Sequence, residues 1–180
     1  MVSGENRLDA HVFYTPHNSR EAAIKAPWGR SDMVVNLNGR WLFKYYSTPS
    51  EIPENIFTIN PEVKWDSITV PGNMELQGFG TPRYLDEEYT FPVNPPYIPK
   101  NMQSVGIYCR TFTIPQKWDG HRVYVHFGSA NSAILCFVNG HYVGYGEGSK
   151  TPVEFDITPY LATGGNTIVV KDMRYSDGSY

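Results

Sequence analysis

Short apolar runs, separated by glycine and proline, set the pattern of this chain. Within these runs Tyr, Phe, Val, Ile and Thr alternate with polar residues, which is typical of half-buried β-strands. The pattern predicts eight strands, at residues 39–46, 67–70, 106–114, 121–127, 133–138, 141–143, 153–156 and 166–173. Helical periodicity is weak, so we expect an all-β fold, and eight strands favour a jelly-roll β-sandwich.

The clearest local signal is a hairpin at Asn139 and Gly140. Apolar runs flank this pair on both sides, and Asn-Gly tolerates the positive φ angles that a two-residue type I′ turn requires. The glycine-rich run 144–148 follows the hairpin. It lacks the helix start of a phosphate-binding loop, so we interpret it as a loop that lines one end of the sandwich.

Two long segments carry few strand signals. Residues 72–100 contain five prolines and predict a long loop, and loops of this length in compact domains are usually functional. Residues 1–35 lack apolar alternation and predict an extended N-terminal arm, which leaves 36–180 as the sandwich domain. Because the chain ends on a strand and a Ser-Asp-Gly-Ser turn, we expect it to continue beyond Tyr180.

Composition narrows the function classes. With 180 residues, 41% of them hydrophobic, the chain can bury a core without disulfides or metals. A net charge of −3 without a Lys/Arg run argues against a nucleic-acid partner. Neither a membrane-spanning run nor a signal-type segment is present, so we expect a soluble protein and leave the compartment open between cytoplasm and periplasm. Cys109 and Cys136 lie in apolar runs and predict buried free thiols, with a disulfide as the alternative.

Histidines and aromatic residues offer little specific chemistry. The five histidines are scattered without the spacing of a zinc site, so no metal site is predicted from them. Trp41 is predicted to lie in the core, and Trp118 to pack on the edge of the sandwich. Tyr97, among the prolines of the long loop, is the better candidate for a surface contact.

Seven motifs stand in a fixed order along the chain. They are residues 6–11 (Asn-Arg-Leu-Asp-Ala-His), 37–43 (Leu-Asn-Gly-Arg-Trp-Leu-Phe), 70–75 (Val-Pro-Gly-Asn-Met-Glu), 94–96 (Asn-Pro-Pro), 138–140 (Val-Asn-Gly), 154–158 (Glu-Phe-Asp-Ile-Thr) and 176–180 (Ser-Asp-Gly-Ser-Tyr). In this order they resemble the N-terminal part of bacterial β-galactosidases of glycoside hydrolase family 2. The resemblance implies a jelly-roll sugar-binding domain packed against a later (β/α)₈ barrel, in an enzyme that hydrolyses terminal β-D-galactosides with retention.

The resemblance also indicates which site residues to expect. Both catalytic glutamates of the family belong to the barrel, so no catalytic residue is expected here and the chain alone should be inactive. Residues 84–89 resemble a loop that presents an Asn to the galactosyl hydroxyls, and Asp86 stands at the position of that Asn. Asp86 is therefore the candidate substrate-binding residue, and a solvated run of charge at 86–88 is the alternative.

Further implications concern cofactors, assembly and packing. The family uses magnesium and a monovalent cation, but the acidic ligand near this domain lies beyond Tyr180, so no cofactor is expected in this chain. The arm is expected to help assembly, through contacts in a homo-oligomer. Met74 and Tyr175 replace tryptophans that are usual in the family, which predicts altered packing and an intact fold.

Two alternatives belong to other classes. In the first alternative the chain is a stand-alone β-glycan-binding module. In the second it is a structural interface domain without sugar affinity. Related glucuronidases and mannosidases share the domain, so the preference for galactose depends on the long arm and on the loop that carries Asp86.

Overall fold

The computed structural model describes residues 4–27, 30–57, 62–83 and 91–179. Within these ranges the strands are β1 (Gly4–Glu5), β2 (Gly39–Tyr46), β3 (Asp66–Val70), β4 (Val105–Thr113), β5 (Tyr124–Phe127), β6 (Ala133–Val138), β7 (His141–Glu147), β8 (Val153–Asp156) and β9 (Gly165–Met173). They form a seven-stranded antiparallel sheet, in the order β1-β7-β6-β9-β4-β2-β3, and a two-stranded sheet of β5 and β8. The predicted all-β jelly-roll sandwich is confirmed.

The eight predicted strands correspond to β2–β9. The clearest difference is at residues 121–127, where β5 begins only at Tyr124, after a 3₁₀ turn at Gln116–Trp118. The described residues include no helix that is long and apolar enough to cross a membrane.

The large sheet has a hydrophobic core on each face. On β9, Ile168 and Val170 belong to the core that Phe155 of β8 also fills, whereas Val169 belongs to the opposite core. Ile56, from the connection between β2 and β3, is fully buried in that second core. Alternating strand residues therefore serve different layers, as the two-residue period of a strand requires. Both cysteines are buried and free, as predicted.

The Asn-Gly hairpin joins β6 to β7 as predicted. Asn139 and Gly140 have φ angles of 51° and 81°, and Val138 pairs with His141. The Asn139 side chain also accepts a hydrogen bond from the Thr167 amide at 2.9 Å and donates one to the Tyr160 carbonyl at 2.8 Å. These bonds attach the turn to β9.

The prediction of a loop at residues 144–148 is wrong, because β7 continues through Glu147. A Cβ atom on Gly144 would lie 2.5 Å from the Glu5 carbonyl oxygen and 2.7 Å from the Phe155 ring. A Cβ atom on Gly146 would lie 2.5 Å from Val153. Both glycines therefore allow β7 to approach β8 closely, and their role is packing within a strand rather than turning the chain.

We expect Gly144→Ala to destabilise the chain by about 1–3 kcal/mol, because the added methyl group overpacks the contact between β7, Phe155 and β1. Gly165→Ala is the matched control, since a Cβ atom there has no neighbour within 4 Å. Urea unfolding of both variants measures the difference. Equal stability of the two variants would contradict this account of β7.

The N-terminal arm contains two elements that the sequence did not predict. β1 pairs with β7 through Glu5 and Tyr145, and a short helix, α1 (Arg20–Lys25), begins at Ser19, whose hydroxyl accepts a hydrogen bond from the Ala22 amide. Helix α1 buries none of its residues. The division of the chain at residue 35 stays a prediction.

Two tryptophans lie where they were predicted. Trp41 is buried in the core of the sandwich. Trp118 is also buried and donates a hydrogen bond from its indole N–H to the Asp32 carbonyl at 3.0 Å. This bond holds the end of the arm against the edge of the sandwich.

Candidate functional site

A polar cleft lies beside the C-terminal end of β9. Its volume is about 360 Å³, within the range of small-molecule sites. The β3–β4 and β5–β6 connections line it together with the end of β9 and the residues just after that strand, namely Asn73–Leu76, Pro82, Arg83, Ser129–Asn131, Asp172, Arg174 and Tyr175. Donors, acceptors and an aromatic ring thus converge at one end of the sandwich.

Arg174 organises the wall of the cleft. Its guanidinium lies 3.3 Å from the Glu75 carboxylate and donates a hydrogen bond to the Thr81 carbonyl at 3.0 Å. It also lies over the Tyr175 ring, with its central carbon 5.4 Å from the ring centroid. Both charged side chains are less than one-fifth exposed. This pair fixes the start of the long loop against the end of β9.

Asp172 places a carboxyl group where the strand pattern calls for an apolar residue. It follows Ile168 and Val170 on the same face of β9, and its Oδ1 atom is buried without a hydrogen-bond partner. Burial, and secondarily the negative charge of Glu75, raise the pKa of Asp172 to about 8. The carboxyl group therefore holds its proton at neutral pH.

The raised pKa of Asp172 predicts a loss of stability with rising pH. The unfolded carboxyl ionises near pH 4, so between about pH 4 and pH 8 the folded chain binds the extra proton and its unfolding free energy falls as the pH rises. The slope from this one group is at most about 1.4 kcal/mol per pH unit. Asp172→Asn should flatten the slope in urea unfolding measured across this range. A slope that is unchanged in the variant would contradict the assignment.

Further buried oxygens without partners lie at the same end of the sheet. Among the described residues the unpartnered buried side-chain atoms are Ser104 Oγ, Asp172 Oδ1, Tyr175 OH and Ser176 Oγ. Hydrogen bonds hold these residues together. The Arg174 backbone amide donates to the Ser104 carbonyl, and the side-chain amide of Gln103 donates to the Tyr175 carbonyl and accepts from the Tyr175 backbone amide. Buried polar atoms normally have hydrogen-bond partners, so these four oxygens could form further hydrogen bonds at this end of the domain.

Asp86, the residue that the sequence singled out, lies outside the described residues, as do its neighbours at 84–90. Both ends of that segment are nevertheless placed at the cleft. Arg83 lines it, and Phe91 is buried with its ring edge-on to Tyr175, 5.2 Å between centroids. The segment that carries Asp86 therefore starts and ends at this site.

Met74 and Tyr175, the two departures from tryptophan, meet at the cleft. Both are buried and both line it. The sandwich is intact around them, and the altered packing stays a prediction. By contrast, Tyr97 is 70% exposed and stays a surface candidate.

The acidic residues of the cleft do not suit a metal ion. The Glu75 carboxylate is bound by Arg174, and burial raises the pKa of Asp172 to about 8, which disfavours the ionised form that a metal needs. Across the described part of the chain, no three His, Cys, Asp or Glu side chains are grouped to hold a metal. We therefore assign none of these residues as a ligand of the magnesium or the monovalent cation that the family implies.

Sequence reasoning missed Glu75, Asp172 and Arg174. One signal for Asp172 was available, because a carboxylate in register with Ile168 and Val170 interrupts an apolar face. Nothing local indicates that Glu75 and Arg174 meet, since 99 positions separate them in the chain.

Comparison with known proteins identifies the domain that carries this cleft. The family model for the sugar binding domain of glycosyl hydrolases family 2 matches residues 34–180. The chain belongs to this family. The family 2 domain is 40% identical over 182 aligned residues to a β-galactosidase of Priestia megaterium and 41% identical over 177 to one of Pectobacterium atrosepticum, and each alignment covers 97% of the chain. It is thus homologous to the N-terminal region of β-galactosidases.

The family 2 domain spans only 17% and 16% of those two β-galactosidases. Among solved structures it resembles a β-glucuronidase of Bifidobacterium dentium, with a TM-score of 0.55 and 24% identity, and one of Ruminococcus gnavus, with a TM-score of 0.56 and 21% identity. Each match covers 76% of the chain and 19% or 21% of the glucuronidase. These structural matches show the sandwich fold.

Proposed function

We propose that this family 2 domain is part of a β-galactosidase that hydrolyses terminal non-reducing β-D-galactosides with retention. The observation that carries the proposal is the identity of about two residues in five, along nearly the whole chain, with β-galactosidases. The likeness to glucuronidases is weaker, at 21–24% identity over three-quarters of the chain. The relatives are glycoside hydrolases, which supports an enzymatic parent.

In this proposal the domain binds and positions, and the chemistry comes from the barrel. Retaining glycosidases need two carboxyl groups about 5–5.5 Å apart, one as nucleophile and one as acid and base. Glu75 and Asp172 are poor candidates for that pair, because Glu75 is held by Arg174 and the Oδ1 atom of Asp172 is buried. Their contacts support a role in shaping the cleft, beside which the barrel would dock.

Asp86 is the residue that we expect to reach the sugar. It is three positions along the chain from Arg83, so their Cα atoms are at most about 11 Å apart, and Arg83 lines the cleft. An ionised aspartate can only accept hydrogen bonds, whereas the Asn of the family pattern also donates. We therefore infer that Asp86 accepts from galactosyl hydroxyls.

The parent would be completed by several partners. The first is the barrel of the same polypeptide, which would supply the catalytic glutamates, while the chain beyond Tyr180 would supply the ligands of magnesium and a monovalent cation. A second copy of the enzyme is the other, through the N-terminal arm. Three consecutive apolar residues of the arm, Val12, Phe13 and Tyr14, are 87%, 60% and 65% exposed, which supports a contact there.

A domain exchange tests the proposed function. The chain would replace the matching region of the Priestia megaterium β-galactosidase and, in parallel, that of the Ruminococcus gnavus β-glucuronidase. We expect the galactosidase chimera to keep kcat/KM for a nitrophenyl β-galactoside within about tenfold of its host, and the glucuronidase chimera to be far less active on its own substrate. Equal activity in both hosts, or activity only in the glucuronidase, would contradict the galactosidase assignment. Hosts without the domain are the controls.

A further inference from the structure

Two histidines from different parts of the chain share one carboxylate. Glu154 of β8 accepts from His11 Nε2 of the arm at 2.8 Å through one oxygen, and lies 2.7 Å from His126 Nδ1 of β5 through the other. The Glu154 side chain is 17% exposed, less than either imidazole. The carboxylate therefore joins the arm to the two-stranded sheet.

The geometry of His11 requires two N–H donors. Its Nδ1 atom faces the Val12 carbonyl at 3.0 Å, while Nε2 faces Glu154. A neutral imidazole has one N–H donor, so it can satisfy only one of these acceptors, whereas the imidazolium satisfies both. The docked position of the arm is thus built for a protonated histidine.

The attachments that precede His11 do not titrate near neutral pH. The Leu8 amide donates to the Glu154 carbonyl at 3.0 Å, and the Asn6 side chain donates to the Val143 carbonyl at 2.7 Å. Arg7 donates to the carbonyls of Glu147 and Pro152, each at 3.2 Å. These bonds hold the arm up to residue 8, and the contact of His11 with Glu154 is the next attachment along it.

Residues 12–14, which follow His11, have few other contacts that hold them. The Phe13 ring packs 5.1 Å from the His126 ring, and His11 lies 5.5 Å from the Tyr14 ring. Phe13 and Tyr14 are otherwise largely exposed. The two imidazoles therefore organise most of the contacts of this stretch.

Other charged groups lie near the carboxylate. On the arm these are Arg7 and the exposed Asp9. Just before β5, Arg122 lies 4.0 Å from Asp156, two residues along β8 from Glu154. Guanidinium groups do not lose their protons near neutral pH, so we assign the variable charge to His11.

We propose that His11, His126 and Glu154 form a pH-operated latch, which holds residues 9–14 of the arm on the β5–β8 sheet when the His11 imidazole is protonated and releases them when it is neutral. The latch uses only residues of this chain and is independent of the galactosidase assignment. It would couple the exposure of the apolar arm residues to pH.

The direction of the effect follows from the contacts of His11. The Val12 carbonyl, and then Glu154, raise the pKa of His11 above its usual value. Docking therefore takes up a proton. The docking free energy is fully present below the undocked pKa of about 6.5 and is lost as the pH rises through the higher docked pKa.

Backbone ¹⁵N relaxation of the 180-residue chain tests the latch. At about pH 5.5 we expect order parameters near 0.85 for residues 10–14, and at about pH 8.5 values below 0.6. The amide signals of β5 and β8 report in the same spectra that the sandwich is folded. Identical order parameters for the arm at both pH values would overturn the proposal.

Matched variants assign the response to the latch. Glu154→Gln keeps the shape of the side chain and removes its charge, and His11→Gln removes the titrating group, so each should abolish the pH dependence of residues 10–14. His17→Gln is the control, because His17 belongs to the same arm and does not bond to Glu154 in the described structure. A pH response that survives in both Glu154→Gln and His11→Gln would also overturn the proposal.

Discussion

The purified 180-residue chain is expected to hydrolyse a chromogenic β-galactoside no faster than the uncatalysed background. Glycosidases of this kind need an ionised nucleophile and a protonated acid that converge on one glycosidic bond. In the described ranges the acidic pair of the cleft does not provide them, since Arg174 binds Glu75 and the Oδ1 atom of Asp172 is buried. Enzymes typically accelerate their reactions by about 10⁶-fold or more over the uncatalysed rate. We expect the chain alone to show none of this acceleration.

The control for this result is the galactosidase chimera, which has the same domain together with a barrel. It should be active under the same conditions. Saturable turnover by the chain alone, if it survived repeated purification and followed the protein through chromatography, would contradict the division of labour between domain and barrel.

In the galactosidase chimera, Asp86→Ala is expected to lower kcat/KM by about 10- to 100-fold. This corresponds to one or two charge-assisted hydrogen bonds to the sugar, worth roughly 1.5–3 kcal/mol each. The isolated domain should keep its Tm, because the expected partner of the carboxylate is the substrate. Steady-state kinetics and thermal unfolding measure the two effects separately.

Asp86→Asn is the matched variant, since it restores the residue of the family pattern and keeps an acceptor oxygen. It should retain most of the activity that Asp86→Ala loses. Unaltered kinetics in Asp86→Ala would reduce Asp86 to a solvated loop charge. A large drop in Tm would instead make it a structural residue.

Local signals were sufficient for most of the sandwich. Asn139 and Gly140 both adopt the positive φ angles of the hairpin turn that their sequence predicts. On β4 and β9, successive residues alternate between the two hydrophobic cores, because both faces of these strands are buried. β7 shows where such signals fail. Gly144 and Gly146 look like turn residues in the sequence, and only the proximity of Phe155 and Val153 explains why a strand needs them.

The candidate site was less accessible to sequence reasoning. Its ion pair joins Glu75 to Arg174 across most of the chain, and no local pattern encodes that contact. The sequence showed only that Asp172 is a polar residue on an apolar strand face. Its raised pKa depends on its burial in the folded chain, which the sequence does not reveal. The loop around Asp86 was found through family resemblance, and the structure supplies the positions of its two ends, Arg83 and Phe91.

The arm illustrates a different limit. Its sequence has no apolar periodicity that would predict a buried face, yet β1 pairs with β7 and His11 contacts Glu154. These contacts depend on edges and carboxylates that other parts of the chain present. A pattern confined to the first 35 residues therefore predicts an extended conformation and misses its attachments.

A crystal structure of the galactosidase chimera with a galactose-based inhibitor tests the central claim most directly, namely that this domain forms one wall of a galactoside pocket. We predict that the Asp86 carboxylate lies within about 2.5–3.0 Å of a sugar hydroxyl oxygen, with the Arg174–Glu75 pair intact beside it. A bound sugar with every atom of residues 72–100 beyond about 5 Å, too far for a hydrogen bond, would contradict the claim.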